Sequence, residues 1–248
     1  STTTTKSPPL RKSPLADTSA LATQEHEHSD LQHHFADMEQ QKEASTLCMW
    51  VFLCKEIMFF GGMFLAYLVY RLKYYNEFAT GSQSIDITLG TINTVVLICS
   101  SLTVALGVKA AQRGKRKLLI VLIILTLIFG LGFLGIKGIE WYQKYQEHHV
   151  PGISFNISDI QHAHPQTPLN PGHAQLYFSL YFALTGLHAL HMIIGIGIFL
   201  ALLLMAWKGR FGPDYYTPME IGGLYWHFVD IVWIYLFPLL YLIDRKHI

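Results

Sequence analysis

The sequence predicts an all-α integral membrane protein, a bundle of five transmembrane helices with a disordered N-terminal tail. Only 14% of its 248 residues are charged, against about 25% in ordinary soluble proteins. Eleven of those charges fall within residues 1–45, so the rest of the chain is more apolar still. Five apolar runs in that remainder reach the roughly 20 helical residues that are needed to cross a bilayer.

Residues 1–45 form the predicted tail, because they are polar and contain no apolar core of signal-peptide length. Residues 46–248 form the predicted transmembrane domain. Its second, third and fourth spans contain no Asp, Glu, Lys or Arg, whereas the first contains Lys55 and Glu56 and the fifth contains Asp230. In chain order, we predict the spans at residues 46–70, 87–108, 118–136, 173–207 and 221–243.

Lysine and arginine in the short connections predict the orientation, because loops rich in these residues tend to stay in the cytoplasm. The connection between the second and third spans holds five cations within residues 109–117, and the connection between the fourth and fifth adds Lys208 and Arg210. Two spans separate these loops, so both lie on the same side of the membrane. We therefore expect a cytoplasmic N-terminus and an extracytoplasmic C-terminus.

The composition also argues against several other classes of protein. A net charge of +1 without a long basic run is not the pattern of a nucleic-acid-binding protein. Cys48, Cys54 and Cys99 lie in apolar stretches and show no CxxC spacing. They therefore predict neither a disulfide framework nor a zinc site, and we expect no metal site in this chain.

Lys55 and Glu56 are a candidate functional site in the first span, because charge inside a membrane is costly. Neighbouring residues on a helix point about 100° apart. Glu56 can therefore face the bundle while the long Lys55 side chain extends outward. A carboxyl group in such surroundings can hold or pass a proton. The alternative is a structural Glu56 that is neutral or bonded to a neighbouring helix.

His188, His191 and His227 inside the spans have two interpretations. His188 and His191 are three residues apart on one face of the fourth span, and His227 lies in the fifth. Hydrogen bonds between helices are the favoured interpretation. The alternative is haem ligation, which would pair His227 with His188 or His191, because one helix cannot place both axial ligands on opposite faces of the ring.

Two further pairs of ionisable residues are also three residues apart. His227 and Asp230 share a face of the fifth span, where pairing would reduce the cost of burying each, and Trp226 beside them is typical of packing or of an interface anchor. Lys137 and Glu140 stand at the end of the third span. Their spacing suits an ion pair near the lipid headgroups.

Four sequence strings resemble the cytochrome c oxidase subunit 3 family, which is subunit III of the haem-copper terminal oxidases. In chain order they read KEIMFFGGMFLAY, IKGIEWYQKY, GLHALHMIIG and GGLYWHFVDIVWIYLFPLLYL. The resemblance extends over about residues 45–245. Larger members of the family have seven spans, and this chain resembles the five-span bacterial form that lacks the first two.

The resemblance implies an accessory, non-catalytic subunit of a respiratory enzyme that reduces O2 to water and pumps protons. Such a subunit binds no redox cofactor itself, because the haems and copper belong to subunits I and II. It contacts subunit I directly, binds structural phospholipids and supports proton uptake. Subunit II and further respiratory-complex subunits are additional expected partners. The expected location is the bacterial cytoplasmic membrane.

The resemblance also implies roles for individual residues. Glu56 matches the membrane carboxyl that reacts with carbodiimides in the family. Lys55 replaces a residue that is usually small and polar, so it pairs either with a lipid phosphate or with Glu56. Lys137 stands in place of a usual Gln. The positions that match those holding the bundle and its lipids are Glu140, His188, His191, Trp226, His227 and Asp230.

Three questions stay open at the level of sequence. The electron donor is either cytochrome c or a quinol, because the donor site belongs to another subunit. A subunit III-like partner of a nitric oxide reductase carries comparable motifs. A bis-histidine haem b membrane cytochrome is the alternative from a different class of protein.

Overall fold

A computed structural model describes residues 38–152, 155–163, 169–212 and 215–243. Within them the chain is all α-helical, as predicted, and contains no strand. Most of the predicted tail, residues 1–37, lies outside the described residues. The helices are α1 (Met38–Lys73), α2 (Tyr75–Gln83), α3 (Ile87–Gln112), α4 (Arg116–Gln146), α5 (Ser158–Ala163), α6 (Pro171–Trp207) and α7 (Thr217–Tyr241).

Five of these helices, α1, α3, α4, α6 and α7, are long and apolar enough to cross a membrane. The five predicted spans are therefore confirmed. Most of the helices extend beyond the predicted apolar cores, and α4 continues from residue 136 to Gln146. The extension has a simple reason: backbone hydrogen bonds continue through polar residues that a search for apolar runs excludes.

Local sequence signals set several helix ends. Asp86 caps α3, and its Oδ1 accepts a hydrogen bond of 2.8 Å from the second backbone N–H of the helix. Asn170 caps α6 in the same way at 2.9 Å. Gly114 and Gly209 follow the ends of α3 and α6 with φ of 64° and 74°. Glycine suits both positions, because other residues rarely adopt this left-handed conformation.

The chain divides into two compact units, one ending at Cys48 and one beginning at Met49. The described part of the first unit is the beginning of α1, where Ser45 Oγ donates a 2.8 Å hydrogen bond to the carbonyl oxygen of Gln41. The second unit contains the rest of α1 and all the other helices.

Within the second unit, α7 is the most buried membrane helix. Trp226 of α7 is fully buried and packs against two glycines. A Cβ atom added at Gly130 of α4 would lie 2.8 Å from the indole ring, and one added at Gly195 of α6 would lie 3.1 Å from it. These glycines therefore let α4 and α6 approach α7 closely.

Residues 49–73 of α1 lie at the edge of the second unit and contact its other helices through large side chains. The Phe60 ring lies 5.3 Å from the His191 ring and 6.2 Å from the Phe228 ring. The Tyr67 hydroxyl donates a 2.9 Å hydrogen bond to the carbonyl oxygen of Leu239. Many other side chains on this helix are exposed on the face away from the bundle.

Candidate functional site

Glu56 is buried against α6, with 6% of its surface exposed. Its Oε1 lies 2.7 Å from the Lys55 Nζ, and its Oε2 lies 3.4 Å from Nε2 of His191. The Lys55 side chain is 66% exposed, and its ammonium also lies 5.0 Å from the centre of the Phe52 ring. The structure therefore shows the expected inward Glu56 and outward Lys55, with an ion pair between them.

The second ring nitrogen of His191 fixes how the imidazole meets Glu56. Nδ1 lies 2.9 Å from the carbonyl oxygen of Leu187. Because a carbonyl oxygen only accepts hydrogen bonds, Nδ1 carries a proton and is the donor of this hydrogen bond. Nε2, which faces Glu56 Oε2, is then the ring nitrogen without a proton in a neutral imidazole. One further proton between the two groups would belong either to a carboxylic acid at Glu56 or to an imidazolium at His191.

His188 has surroundings of a different kind. It is 1% exposed, and its ring lies 5.3 Å from Phe133 and 5.1 Å from Trp233. Neither ring nitrogen has a hydrogen-bond partner among the described residues. The observed contacts of His188 with other helices are therefore aromatic, whereas hydrogen bonds between helices were the favoured prediction.

Lys137 and Glu140 form the predicted ion pair, with 3.0 Å between Nζ and Oε1. Both residues are only 1% exposed. The pair is therefore enclosed by protein, because Tyr181 of α6 and Tyr241 of α7 cover it. Its position near the lipid headgroups stays a prediction.

Hydrogen bonds join these four residues into what we call the Lys137 cluster: Lys137, Glu140, Tyr181 and Tyr241. The Lys137 ammonium donates to the Tyr181 hydroxyl at 3.0 Å and to the Tyr241 hydroxyl at 2.6 Å. Both hydroxyls in turn donate to Glu140 Oε1, at 2.6 Å from Tyr241. The cluster thus ties α4, α6 and α7 together, because each contributes at least one member.

His227 and Asp230 do not form the predicted pair. His227 Nδ1 instead lies 2.7 Å from the hydroxyl of Ser101 on α3. Asp230 is 3% exposed. Neither of its carboxyl oxygens meets hydrogen-bond geometry with a described residue, although the Ser101 hydroxyl lies close by. The prediction failed because a serine on another helix is within reach of the imidazole.

Trp226, the remaining candidate, also bonds to α3. Its indole N–H donates a 2.9 Å hydrogen bond to Ser100 Oγ, and the side chain is fully buried. Trp226 is thus a packing residue in the bundle and not an interface anchor. Six residues earlier on α3, Thr94 accepts a 3.1 Å hydrogen bond from the indole of Trp233.

The sequence reasoning missed the hydroxyl-bearing residues that complete these contacts. Serines and threonines on the uncharged second span were a usable signal, since such side chains commonly bond between membrane helices. Tyr181 and Tyr241 gave no comparable signal, because tyrosines in membrane spans are usual near the interface. The missed residues are Thr94, Ser100, Ser101, Tyr181 and Tyr241.

The described residues contain no group of three or more His, Cys, Asp or Glu side chains that could hold a metal ion. The three histidines of the spans also have separate neighbours. His188 contacts aromatic rings, His191 faces Glu56, and His227 bonds to a serine. This arrangement does not favour a haem held between two of them.

Comparison with known proteins shows the family to which the sequence is similar. A family model described as cytochrome c oxidase subunit III matches residues 27–164 and 168–244. The chain is 32% identical over 198 residues to a probable cytochrome c oxidase subunit 3 of Nocardia farcinica, covering 78% of this chain and 85% of that protein. It is 27% identical over 205 residues to cytochrome c oxidase subunit 3 of Thermostichus vulcanus, covering 81% and 88%.

A third relative carries a different enzyme name. The chain is 30% identical over 223 residues to quinol oxidase subunit 3 of Bacillus spizizenii, covering 87% of this chain and 97% of that protein. Its similarities therefore include subunits of oxidases named for cytochrome c and for quinol.

Proposed function

The chain belongs to the cytochrome c oxidase subunit III family, and we propose that it is the accessory third subunit of a bacterial haem-copper respiratory oxidase. The observation that carries this proposal is the family match across residues 27–164 and 168–244, which includes all five membrane helices. In this role the chain has no catalytic site of its own. The haems and copper that reduce O2 to water belong to subunits I and II, and subunit I is its direct partner.

We propose that the cation-rich connections lie in the cytoplasm, which places the C-terminus outside. A contact between the helix ends beside the two connections supports their placement on one side. The Arg116 guanidinium, at the start of α4, donates hydrogen bonds to the carbonyl oxygens of Ala206, at 3.0 Å, and Trp207, at the end of α6. Both connections are thus at one end of the bundle, as the distribution of positive charge requires.

We propose that Glu56 is the proton-linked carboxyl of this chain. The 3.4 Å approach of its Oε2 to His191 Nε2 supports the role, because one proton can reside on either group. The position of Glu56 on α1, at the edge of the second unit, also supports it. The paired Lys55 ammonium is exposed there and is available to a lipid phosphate as well as to Glu56.

For the other candidate residues, contacts between helices are the better-supported role. Glu140 bonds to two neighbouring helices, His188 and Trp226 pack among helices, and His227 bonds to α3. We infer that structural phospholipids bind on the exposed apolar faces of the bundle, where Lys55 supplies a cation.

Purification in mild detergent, followed by identification of the partner subunits, tests the proposed function. The expected result is a complex with the larger oxidase subunits, with haem and copper in those subunits. A visible spectrum of the separated chain provides the second measurement. A stoichiometric low-spin haem in that chain would establish a membrane cytochrome instead, and copurification with a nitric oxide reductase would establish the other alternative.

A further inference from the structure

A cavity between α3 and α7 lies apart from both Glu56 and the Lys137 cluster. Its volume is about 460 Å³, and leucine, isoleucine and alanine side chains form most of its wall. The polar part of the wall consists of Ser101, His227 and Asp230. The cavity thus combines an apolar lining with one carboxyl group.

The carboxyl group of Asp230 lacks donors for its oxygens. The side chain is buried, yet neither oxygen meets hydrogen-bond geometry with a described residue. The nearby Ser101 hydroxyl also lies 2.7 Å from His227 Nδ1, which donates or accepts according to its tautomer. Because this hydroxyl has a single proton, it can serve at most one carboxyl oxygen. A buried polar group without a partner is costly, most of all inside a membrane.

The position of Asp230 along α7 limits what can supply the missing donor. Asp230 and Ser101 both lie near the middle of their helices, which are Thr217–Tyr241 and Ile87–Gln112. At 1.5 Å per residue, Asp230 lies about 20 Å from the start of α7. Phospholipid headgroups stay at the membrane surfaces, so they do not reach this depth.

The rim of the cavity faces outward from the bundle. Ile98 and Leu102 of α3 are 54% and 61% exposed, and Ile231 and Ile234 of α7 are 52% and 46% exposed. A neighbouring membrane helix can therefore pack on this rim and reach the carboxyl group with one side chain. Interfaces between membrane helices commonly have this form, with close packing around a hydrogen-bonding side chain.

We propose that this cavity receives a transmembrane helix of another oxidase subunit, which inserts a hydrogen-bond-donating side chain that bonds to Asp230. Chemical complementarity selects the occupant: the carbonyl oxygen of a carboxyl group accepts hydrogen bonds whether the group is ionised or neutral, so its partner is Lys, Arg, Asn, Gln or another donor. The inference rests on the proposed function, since it requires an oxidase complex around this chain.

Site-specific photocrosslinking in the purified complex tests the contact. A benzophenone amino acid replaces Ile98 in one variant and Ile231 in another, and a third variant carries it at Leu190 of α6, which is 50% exposed. The expected result is that Ile98 and Ile231 crosslink to one and the same membrane helix of a copurified subunit, and that Leu190 does not. Adducts only with phospholipid, or with a second copy of this chain, would overturn the proposal.

Two substitutions of Asp230 test the hydrogen bond itself. In Asp230→Leu, we expect retention of the partner during detergent washing to fall by about tenfold, because one buried hydrogen bond is lost. In Asp230→Asn, which still has an acceptor oxygen, we expect a smaller fall. Circular dichroism and gel filtration of each variant establish that the chain is folded. Equal retention in a folded Asp230→Leu variant would overturn the proposal.

The outcomes also separate this inference from the proposed function. If the unaltered chain copurifies with no oxidase subunit, the proposed function is wrong. If the complex is intact but the crosslinks at Ile98 and Ile231 are absent, only the contact at the cavity is wrong.

Discussion

Glu56 and Glu140 are two glutamates buried in membrane helices, but their surroundings differ in one decisive respect. Glu140 is enclosed by the Lys137 cluster, whose other members are each at most 1% exposed. Glu56 has two partners, and one of them, Lys55, is 66% exposed on a helix at the edge of the second unit. The two carboxyl groups are therefore similarly buried but differ in the exposure of their partners.

The two carboxyl groups also differ in their hydrogen-bond and ion-pair partners. Glu140 Oε1 accepts hydrogen bonds from an ammonium and two hydroxyls that belong to three helices. Releasing it would break the hydrogen bonds that link α4 to both α6 and α7. Glu56 Oε2 lies 3.4 Å from His191 Nε2, and Oε1 forms an ion pair with an outward lysine. The proposed proton-linked role requires that Glu56 changes its protonation while the packing of the bundle persists.

The largest effect is expected from Glu140→Gln. This change keeps the shape of the side chain but leaves the buried Lys137 ammonium without its counter-charge. Removing one member of a buried ion pair typically lowers the free energy of unfolding by about 3–5 kcal/mol. Denaturant or thermal unfolding of the detergent-solubilised chain measures the change.

A double variant provides the control for that prediction. Replacing Lys137 by Met and Glu140 by Leu removes both charges, so much of the lost stability should return. If Glu140→Gln alone unfolds like the unaltered chain, the Lys137 cluster does not hold the three helices together.

A smaller effect is expected from Tyr241→Phe. The hydroxyl of Tyr241 accepts from the Lys137 ammonium and donates to Glu140, both at 2.6 Å. Loss of hydrogen bonds to charged groups should lower the free energy of unfolding by about 1.5–3 kcal/mol. The matched control is Tyr235→Phe on the same helix, because the Tyr235 side chain is 66% exposed. Similar unfolding curves for the two variants would contradict the role of the cluster.

The smallest effect on stability is expected from Glu56→Gln. The Lys55 ammonium is exposed and is not trapped inside the bundle by this change, so the free energy of unfolding should alter by no more than about 1 kcal/mol. The effect of Glu56→Gln on activity, in contrast, should be large. The complex should assemble and reduce O2, but its turnover or its proton pumping should decline faster than in the unaltered enzyme.

Oxygen consumption over repeated turnovers, with proton release recorded in parallel, measures this decline. Lys55→Gln serves as the comparison, because it removes the charged partner and keeps the carboxyl group. A Glu56→Gln complex that sustains turnover and pumping like the unaltered one would make Glu56 a structural residue, like Glu140.

The membrane helices were predictable because each contains an apolar run of about 20 residues, which is the length needed to cross a bilayer. The inward position of Glu56 was also predictable, since adjacent residues on a helix must point in different directions. The polar ends of the helices were not predictable in this way. Residues 137–146 continue α4 beyond its apolar run, and within this segment Lys137, Glu140 and Lys144 are buried in the protein although the other side chains are mostly exposed.

Partners from distant parts of the chain could not be predicted. Tyr181 and Tyr241 lie 41 and 101 residues from Glu140 and reach it only because α6 and α7 pack beside α4. The same limit explains the error at His227. Its spacing to Asp230 was correct for a shared helix face, but Ser101 of α3 lies within hydrogen-bond distance of the imidazole. Spacing along one helix says nothing about donors on another.

Carbodiimide labelling of the intact complex, with the modified residues identified by mass spectrometry, tests the contrast between the two glutamates most directly. The reagent should modify Glu56, which is next to an exposed side chain on an edge helix, and should leave Glu140 unmodified inside the Lys137 cluster. Labelling should disappear in Glu56→Gln. Equal modification of both glutamates, or modification of Glu140 alone, would contradict this account.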